Sequence, residues 1–219
     1  MATLSQLRSY VVDTVRDSAL GNPEIDKLLN LGVSEIAGGM QSSMGDSITF
    51  PLPELFSIDT VDTDIDEAYV LMPGTFGRGL IFVSDSNGRE IDICNSMIEF
   101  SENYPLMNRS SDVVSAIELG GNLYYQGIPV TTEELTLHFY RLPVPMTAKT
   151  DTPDGIPLSM QVTLLINYVA YKVYEITEDG VNRKDSKYNK HKSIFQEALK
   201  VLELYIPYDS RPLYLKGRR

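Results

Sequence analysis

Apolar residues recur at helical spacing at both ends of the chain and at strand spacing in the middle. The longest regular stretch is LSMQVTLLINYVAYKVYEITE, Leu158 to Glu178. Leu158, Val162, Leu165, Val169, Val173 and Ile176 follow one another at steps of four, three, four, four and three, which puts all six on one helical stripe. Gln161, Leu164, Tyr168, Tyr171 and Glu175 lie beside them and widen the face. Pro157 suits a first helical turn, and Asp179-Gly180 a last one. Gln161, Asn167, Lys172 and Glu175 would each be costly in hydrocarbon, so the pattern predicts a buried or interface helix and not a membrane span.

Three further helices follow from the same rhythm. Leu4, Leu7, Val11 and Val15 predict a helix over 3–19 with Thr3 as its cap. Asn22-Pro23-Glu24 restarts the chain as N-cap, first-turn proline and first-turn acid, and the second helix runs to about Ile36 before Gly38-Gly39. Near the end, Tyr188, His191, Phe195, Leu199, Leu202 and Tyr205 share one face of a helix over 186–205 that Pro207 stops.

Between about 41 and 145 the helical period disappears. Strands are expected over 54–60, 68–72, 79–84, 89–94, 112–119, 122–126 and 135–141. Asp85-Ser86-Asn87-Gly88 and Gly120-Gly121 are hairpin turn signals. The order predicts an α+β chain: a helical hairpin over 1–40, an inserted β-rich domain with its linkers over 41–157, a second hairpin over 158–206 and an extended tail over 207–219. The two hairpins would pack as a four-helix bundle, since neither alone buries its stripe, and the β region would form a small sandwich or barrel.

Charge sharpens this picture. The chain has 219 residues and a net charge of −11. Residues 180–219 hold ten Lys/Arg and four Asp/Glu, while residues 1–179 hold nine and 26. An acidic body with a basic end predicts a contact between that end and something negative: nucleic acid, an acidic partner or the next copy of the chain. The single cysteine, Cys94, allows no internal disulfide and reads as a small core residue. The opening MATLSQLRSYV turns polar too soon for a signal peptide.

Candidate chemistry is sparse. There is no GxSxG, HExxH, Walker loop or CxxC. Both histidines, His138 in a strand and His191 on a lysine-rich helix, read as structural. The run Asp59, Asp62, Asp64, Asp66 and Glu67 is the best candidate for Ca²⁺, but it lacks EF-hand spacing and reads as a solvated acidic edge. Gly74 to Gly79 is glycine-rich yet joins two strand-like segments, which favours a loop over a phosphate cradle. Arg183, Lys184, Lys187, Lys190 and Lys192, with Tyr188 among them, read as a solvated helix face ahead of a nucleic-acid site. No catalytic residue, cofactor or metal is implied.

Three stretches in this order resemble the head-to-tail adaptor, or connector, proteins of tailed bacteriophages. LSQLRSYVVDTVRDSALGNPEIDKLLNLGVSEI is similar to their first helical hairpin. LTLHFYRLPVPM, Leu135 to Met146, is similar to the last strand and exit of their β region. DGIPLSMQVTLLINYVAYKVYEITED followed by YNKHKSIFQEALKVL resembles their closing helix pair. The resemblance implies a non-catalytic structural protein of the virion's head-tail interface, assembled in the host cytoplasm. It implies a ring, usually dodecameric, beneath the portal protein, which extends the DNA channel without sequence-specific DNA contact. A downstream tail protein, nozzle or stopper, would dock on that ring, and the genome would leave through it. It also implies an interface role for the C-terminal tail through Tyr208, Arg211, Leu213, Tyr214, Lys216, Arg218 and Arg219. The portal is the first expected partner of that tail and a neighbouring subunit the second. Two other function classes stand beside this one: a host-surface or glycan-binding module of a virion using Tyr104, Tyr124 and Tyr125, and a small enzyme with an unrecognised site.

Overall fold

The structure is a computed structural model that describes residues 1–16, 20–39, 51–103, 105, 109–177 and 187–205. The class is α+β, with five helices and two sheets among the described residues. The chain divides into two compact units, Met1–Leu55 with Pro143–Arg219, and Phe56–Leu142.

The first unit is helical. Helix α1, Leu4–Val15, buries Leu4, Leu7, Val11 and Val15, the stripe its spacing predicts. Thr3 caps it in a reciprocal box with Gln6, each side chain taking the other's backbone N–H. The N–H groups of Leu4 and Ser5, orphans of the first turn, donate to the carbonyls of Asp151 and Lys149. That loop is itself pinned by the Asp151 carboxylate, which accepts from the N–H groups of Thr147 and Ala148 at 2.7 Å each. These bonds hold the Asp151 carboxyl below its ordinary range.

Helix α2, Asn22–Ala37, begins one residue earlier than its sequence signal. Gly21, not Asn22, is the extended N-cap, and Pro23 falls at the second helical position. Ile25, Leu29, Val33 and Ile36 are buried. Asn30 clamps the segment that follows the β region: its Nδ2 donates to the Met146 carbonyl at 3.0 Å and its Oδ1 accepts from the Met146 N–H at 2.8 Å. Arg8 of α1 reaches Asp26 of α2 with two guanidinium nitrogens, Nε at 2.6 Å, in fork geometry.

Helix α4, Gln161–Thr177, is the helix on which α1, α2 and α5, Lys187–Tyr205, all pack. It starts three residues later than its apolar rhythm predicts. Buried Gln161 turns back and donates to the carbonyls of Pro153 and Ile156, so 157–160 form a turn and Pro157 stands outside the helix. The predicted stripe also runs out at both ends: Leu158 and Ile176 are exposed. The burial lies in the middle, where Leu164, Leu165, Ile166, Tyr168, Val169, Ala170, Tyr171, Val173 and Tyr174 cover every face of the helix. Against α2, Gly32 makes room for the Tyr168 ring, since a Cβ there would stand 2.8 Å from Cδ1. Against α1, the Tyr174 hydroxyl donates to the Val15 carbonyl at 3.0 Å. Against α5, Tyr168 and Tyr171 meet Phe195 with ring centroids 5.5 and 5.4 Å apart.

The second unit holds two sheets, β1-β7-β3 and β2-β6-β5-β4. The strands are β1 Phe56–Asp62, β2 Tyr69–Leu71, β3 Phe76–Ser84, β4 Asp92–Ile93, β5 Ser115–Leu119, β6 Asn122–Gln126 and β7 Glu134–Arg141. One core draws on both sheets: Leu80, Val83, Leu135, Leu137 and Phe139 from the first, Ala116, Leu123 and Tyr125 from the second. Among the described residues the sheets do not close into a barrel. The chain changes sheets instead. Asp85 to Gly88 turns as predicted, with Gly88 at φ 78°, but a single bridge, Ser84 with Glu90, completes that hairpin. Asp92 and Ile93 then pair in parallel with β5 in the other sheet. Gly120-Gly121, at φ 63° and 83°, joins β5 to β6 in full antiparallel register. Helix α3, Met97–Asn103, is not predicted by periodicity, because its seven residues give less than two turns. It buries Phe100 beside Cys94 and Ile117.

Three outcomes are expected. Gly32→Ala gains helix propensity of up to about 1 kcal/mol but drives a methyl into Tyr168 and Leu165, and overpacking of about 1–3 kcal/mol wins, so thermal denaturation shows a lower Tm. Leu165→Ala costs about 2–5 kcal/mol in denaturant unfolding, whereas Ile176→Ala on the same predicted stripe changes little because Ile176 faces solvent. The depressed Asp151 carboxyl contributes stability that is present above its ordinary pKa and is lost as pH falls through the folded-state value. The Tm gap between wild type and Asp151→Ala is therefore largest at neutral pH and shrinks below about pH 4.

Candidate interface surfaces

Cys94, His191 and two lysines of the basic run are engaged within the fold. Cys94 is buried with its Sγ 3.3 Å from the Ser115 hydroxyl. His191 on α5 stacks on Tyr174, centroids 5.7 Å apart, and its Nδ1 lies 2.8 Å from the Asn167 side-chain oxygen. Of the basic run, Lys187 and Lys192 sit over the rings of Tyr174 and Tyr188 at 5.2 and 5.6 Å, so both face their own helix pair. Arg183 and Lys184 lie outside the described residues.

The acidic run is a shaped turn. Asp64 Oδ1 accepts from the N–H groups of Asp66 and Glu67, and the Tyr125 hydroxyl reaches up from the core to the same turn. That hydroxyl accepts from the Asp64 N–H at 2.7 Å and lies 2.8 Å from the Glu67 carbonyl. Burial, with Asp64 and Glu67 nearby, raises the Tyr125 phenol above its ordinary range. Tyr125 is therefore not available to a ligand, against the glycan-binding expectation. Tyr124 is half-buried and packs on Tyr69, and Tyr104 lies outside the described residues. Among the described residues no group of three His, Cys, Asp or Glu side chains is placed to hold a metal ion.

The glycine-rich stretch divides: Gly74 and Thr75 form the expected loop, while Phe76 to Gly79 already belong to β3. Gly77 passes so close to β7 that a Cβ would stand 2.9 Å from the backbone of Tyr140, Arg141 and Leu142. The β3–β7 register slips between Phe76 and Arg78 and again before Phe82, with Gly79 at φ 70°. A pocket of about 400 Å³ in the helical unit is lined by Met1, Glu54, Pro153, Asp154, Ile156 and Gln161 among others, and holds no histidine, cysteine or serine.

What remains exposed and unusual is the outer face of sheet β1-β7-β3. His138 lies there between the edges of two rings, Phe56 at 5.7 Å and Phe82 at 5.1 Å. Phe56 is 44% exposed and Ile58, opposite His138, 57%. This aromatic face was not foreseen. The alternation of Phe56, Ile58 and Thr60 with Ser57, Asp59 and Val61 was its signal, because it puts apolar residues on the side away from Val61 and the core. The predicted interface residues Tyr208 to Arg219 lie outside the described residues. No described helix is long and apolar enough to cross a membrane.

No curated protein matches the sequence. The family model of the SU10 adaptor protein does match, over residues 2–213, and so spans parts of both units and all five described helices. That extent agrees with the resemblance read in the order of the helical hairpins and the β region. The chain belongs to the SU10 adaptor protein family, a family of phage head-to-tail adaptors, and is a structural component of a virion.

Proposed function

We propose that the protein forms a dodecameric ring beneath the portal, extends the DNA channel and presents a surface to the next tail component. The family match over residues 2–213 carries this reading. Three features of the chain support it. Cys94 is buried against Ser115 and His191 is stacked on Tyr174, roles that suit a scaffold. Helix α4 contacts the other three long helices, which lets α1, α2, α4 and α5 act as one four-helix unit around it, with the two sheets as a sandwich carried by that unit. The net charge of −11 disfavours lasting contact with DNA phosphates, which suits a channel that DNA must leave.

In this reading the portal lies on one side of the ring and a nozzle or stopper on the other. The C-terminal residues Tyr208, Arg211, Leu213, Tyr214, Lys216, Arg218 and Arg219 serve contacts between proteins, with aromatic and leucine side chains as anchors and the basic groups as steering charges. No catalytic step is assigned to the chain.

Electron microscopy of the purified protein mixed with its portal tests this. The expected image is a ring of copies on one end of the portal, coaxial with its channel. Portal particles without added density, at protein concentrations well above those of the portal, would overturn the reading.

A further inference from the structure

Sheet β1-β7-β3 presents an ordered gradient on its outer face. Its register sets Phe56 opposite Tyr140, Ile58 opposite His138, Thr60 opposite Thr136 and Asp62 opposite Glu134. From the start of β1 to its end the face thus passes from aromatic to acidic. The acidic end continues into the turn that exposes Asp64, Asp66 and Glu67. Strand β1 is also at the edge of the sheet, and no strand pairs with its outer side among the described residues. Alternate residues of an antiparallel strand turn their N–H and C=O groups to such an open side. At Thr60 the Asp59 carboxylate accepts the N–H at 2.9 Å.

The C-terminal segment carries the complementary gradient. Leu213, Tyr214 and Leu215 come first, and Lys216, Arg218 and Arg219 follow. Leu213 to Arg219 spans as many residues as β1, seven, or about 23 Å if extended. We propose that the outer face and open edge of β1 receive the C-terminal segment of a second copy, residues 208–219, as an added strand running parallel to β1. This rests on the ring reading above, since each copy of a cyclic ring meets the next through two different surfaces. Parallel addition with Leu213 beside Phe56 puts Leu213 and Leu215 on the face of Phe56 and Ile58, and Arg219 on that of Asp62 and Glu134. The antiparallel alternative would lay the arginines on the aromatic end. Antiparallel pairing of β1 with another β1 about its midpoint would set Asp59 against Asp59. The segment's basic excess, four Lys/Arg against Asp209, thereby meets an acidic surface of the same protein.

The test uses full-length chains and a synthetic peptide of residues 208–219 carrying a fluorophore. The acceptor is the chain with Lys216→Glu, Arg218→Glu and Arg219→Glu, whose own segment no longer competes. Anisotropy is expected to show saturable binding that weakens as salt rises. Adding Ile58→Glu to the acceptor should weaken binding by roughly ten-fold or more, equivalent to about 1.4 kcal/mol. Ile58→Thr, which keeps strand propensity, guards against a folding artefact and should give an intermediate loss. Mixing the full-length Ile58→Glu chain with the Lys216→Glu, Arg218→Glu, Arg219→Glu chain should yield a 1:1 dimer in sedimentation, because one partner supplies the segment and the other the face. Absence of peptide binding, equal binding to the Ile58→Glu acceptor, or monomers throughout in the mixture would overturn the proposal. A ring on the portal without peptide binding would leave the adaptor reading standing and remove this one; peptide binding without a ring would do the reverse.

Discussion

The helical unit depends on burying α4 on every side. A helix that is apolar around its whole circumference has no face to give to water, so it is stable only when neighbours surround it. Three separate contacts meet that need, each with its own chemistry. A glycine in α2 admits the Tyr168 ring, a hydroxyl from Tyr174 caps the last turn of α1, and the α5 contact is aromatic with lysines above the rings. None of these elements has an adequate core without α4. The unit is thus built around one rod, and α1 and α2 find most of their helix packing on residues after 160.

The connections are fixed by polar side chains that act on backbone. Asn30 clamps Met146, Asp151 closes the 147–151 turn, Gln161 ends the approach to α4, and Tyr125 holds the turn from Asp64 to Glu67. Each satisfies backbone groups that irregular chain would otherwise leave unpaired. Such bonds specify which of several compact arrangements the loops adopt, beyond what apolar burial alone decides.

Much of the fold was legible because its signals are local. Apolar spacing marks α1, α2, α4 and α5, and turn residues mark the β5–β6 hairpin. What was not legible depends on distant partners. The start of α4 is set by Gln161 reaching back to Pro153 and Ile156, which overrides a rhythm that continues to Leu158. Gly74 does sit in a loop, but Gly77 reads as loop-like only because a glycine is needed for close approach to β7, a strand some sixty residues away in sequence. The short helix α3 carried a readable mark in Ser96 and Glu99, whose side chains accept the N–H groups of Glu99 and Asn95, but its length hid it from periodicity. The aromatic face of β1 was written in its alternation, yet two apolar residues, Phe56 and Ile58, on an exposed edge are not distinguishable from a core face until the register is known.

One feature of the β unit bears on how such proteins vary. The chain enters it at Phe56 and leaves it at Leu142, and Phe56 is the register partner of Tyr140. Entry and exit are therefore neighbouring strands held by ladder hydrogen bonds, a stem of the kind that closes an inserted cassette. On the helical side, the Leu52 N–H is bonded to the Ala37 carbonyl, and Met146 is clamped by Asn30, so both ends of the stem are anchored before the cassette begins. Insertions, deletions or wholesale exchange between those anchors leave the closure of the loop unchanged, because loop entropy grows only slowly with length. The helical frame can stay constant while the cassette it carries is free to diverge with whatever surface it must meet.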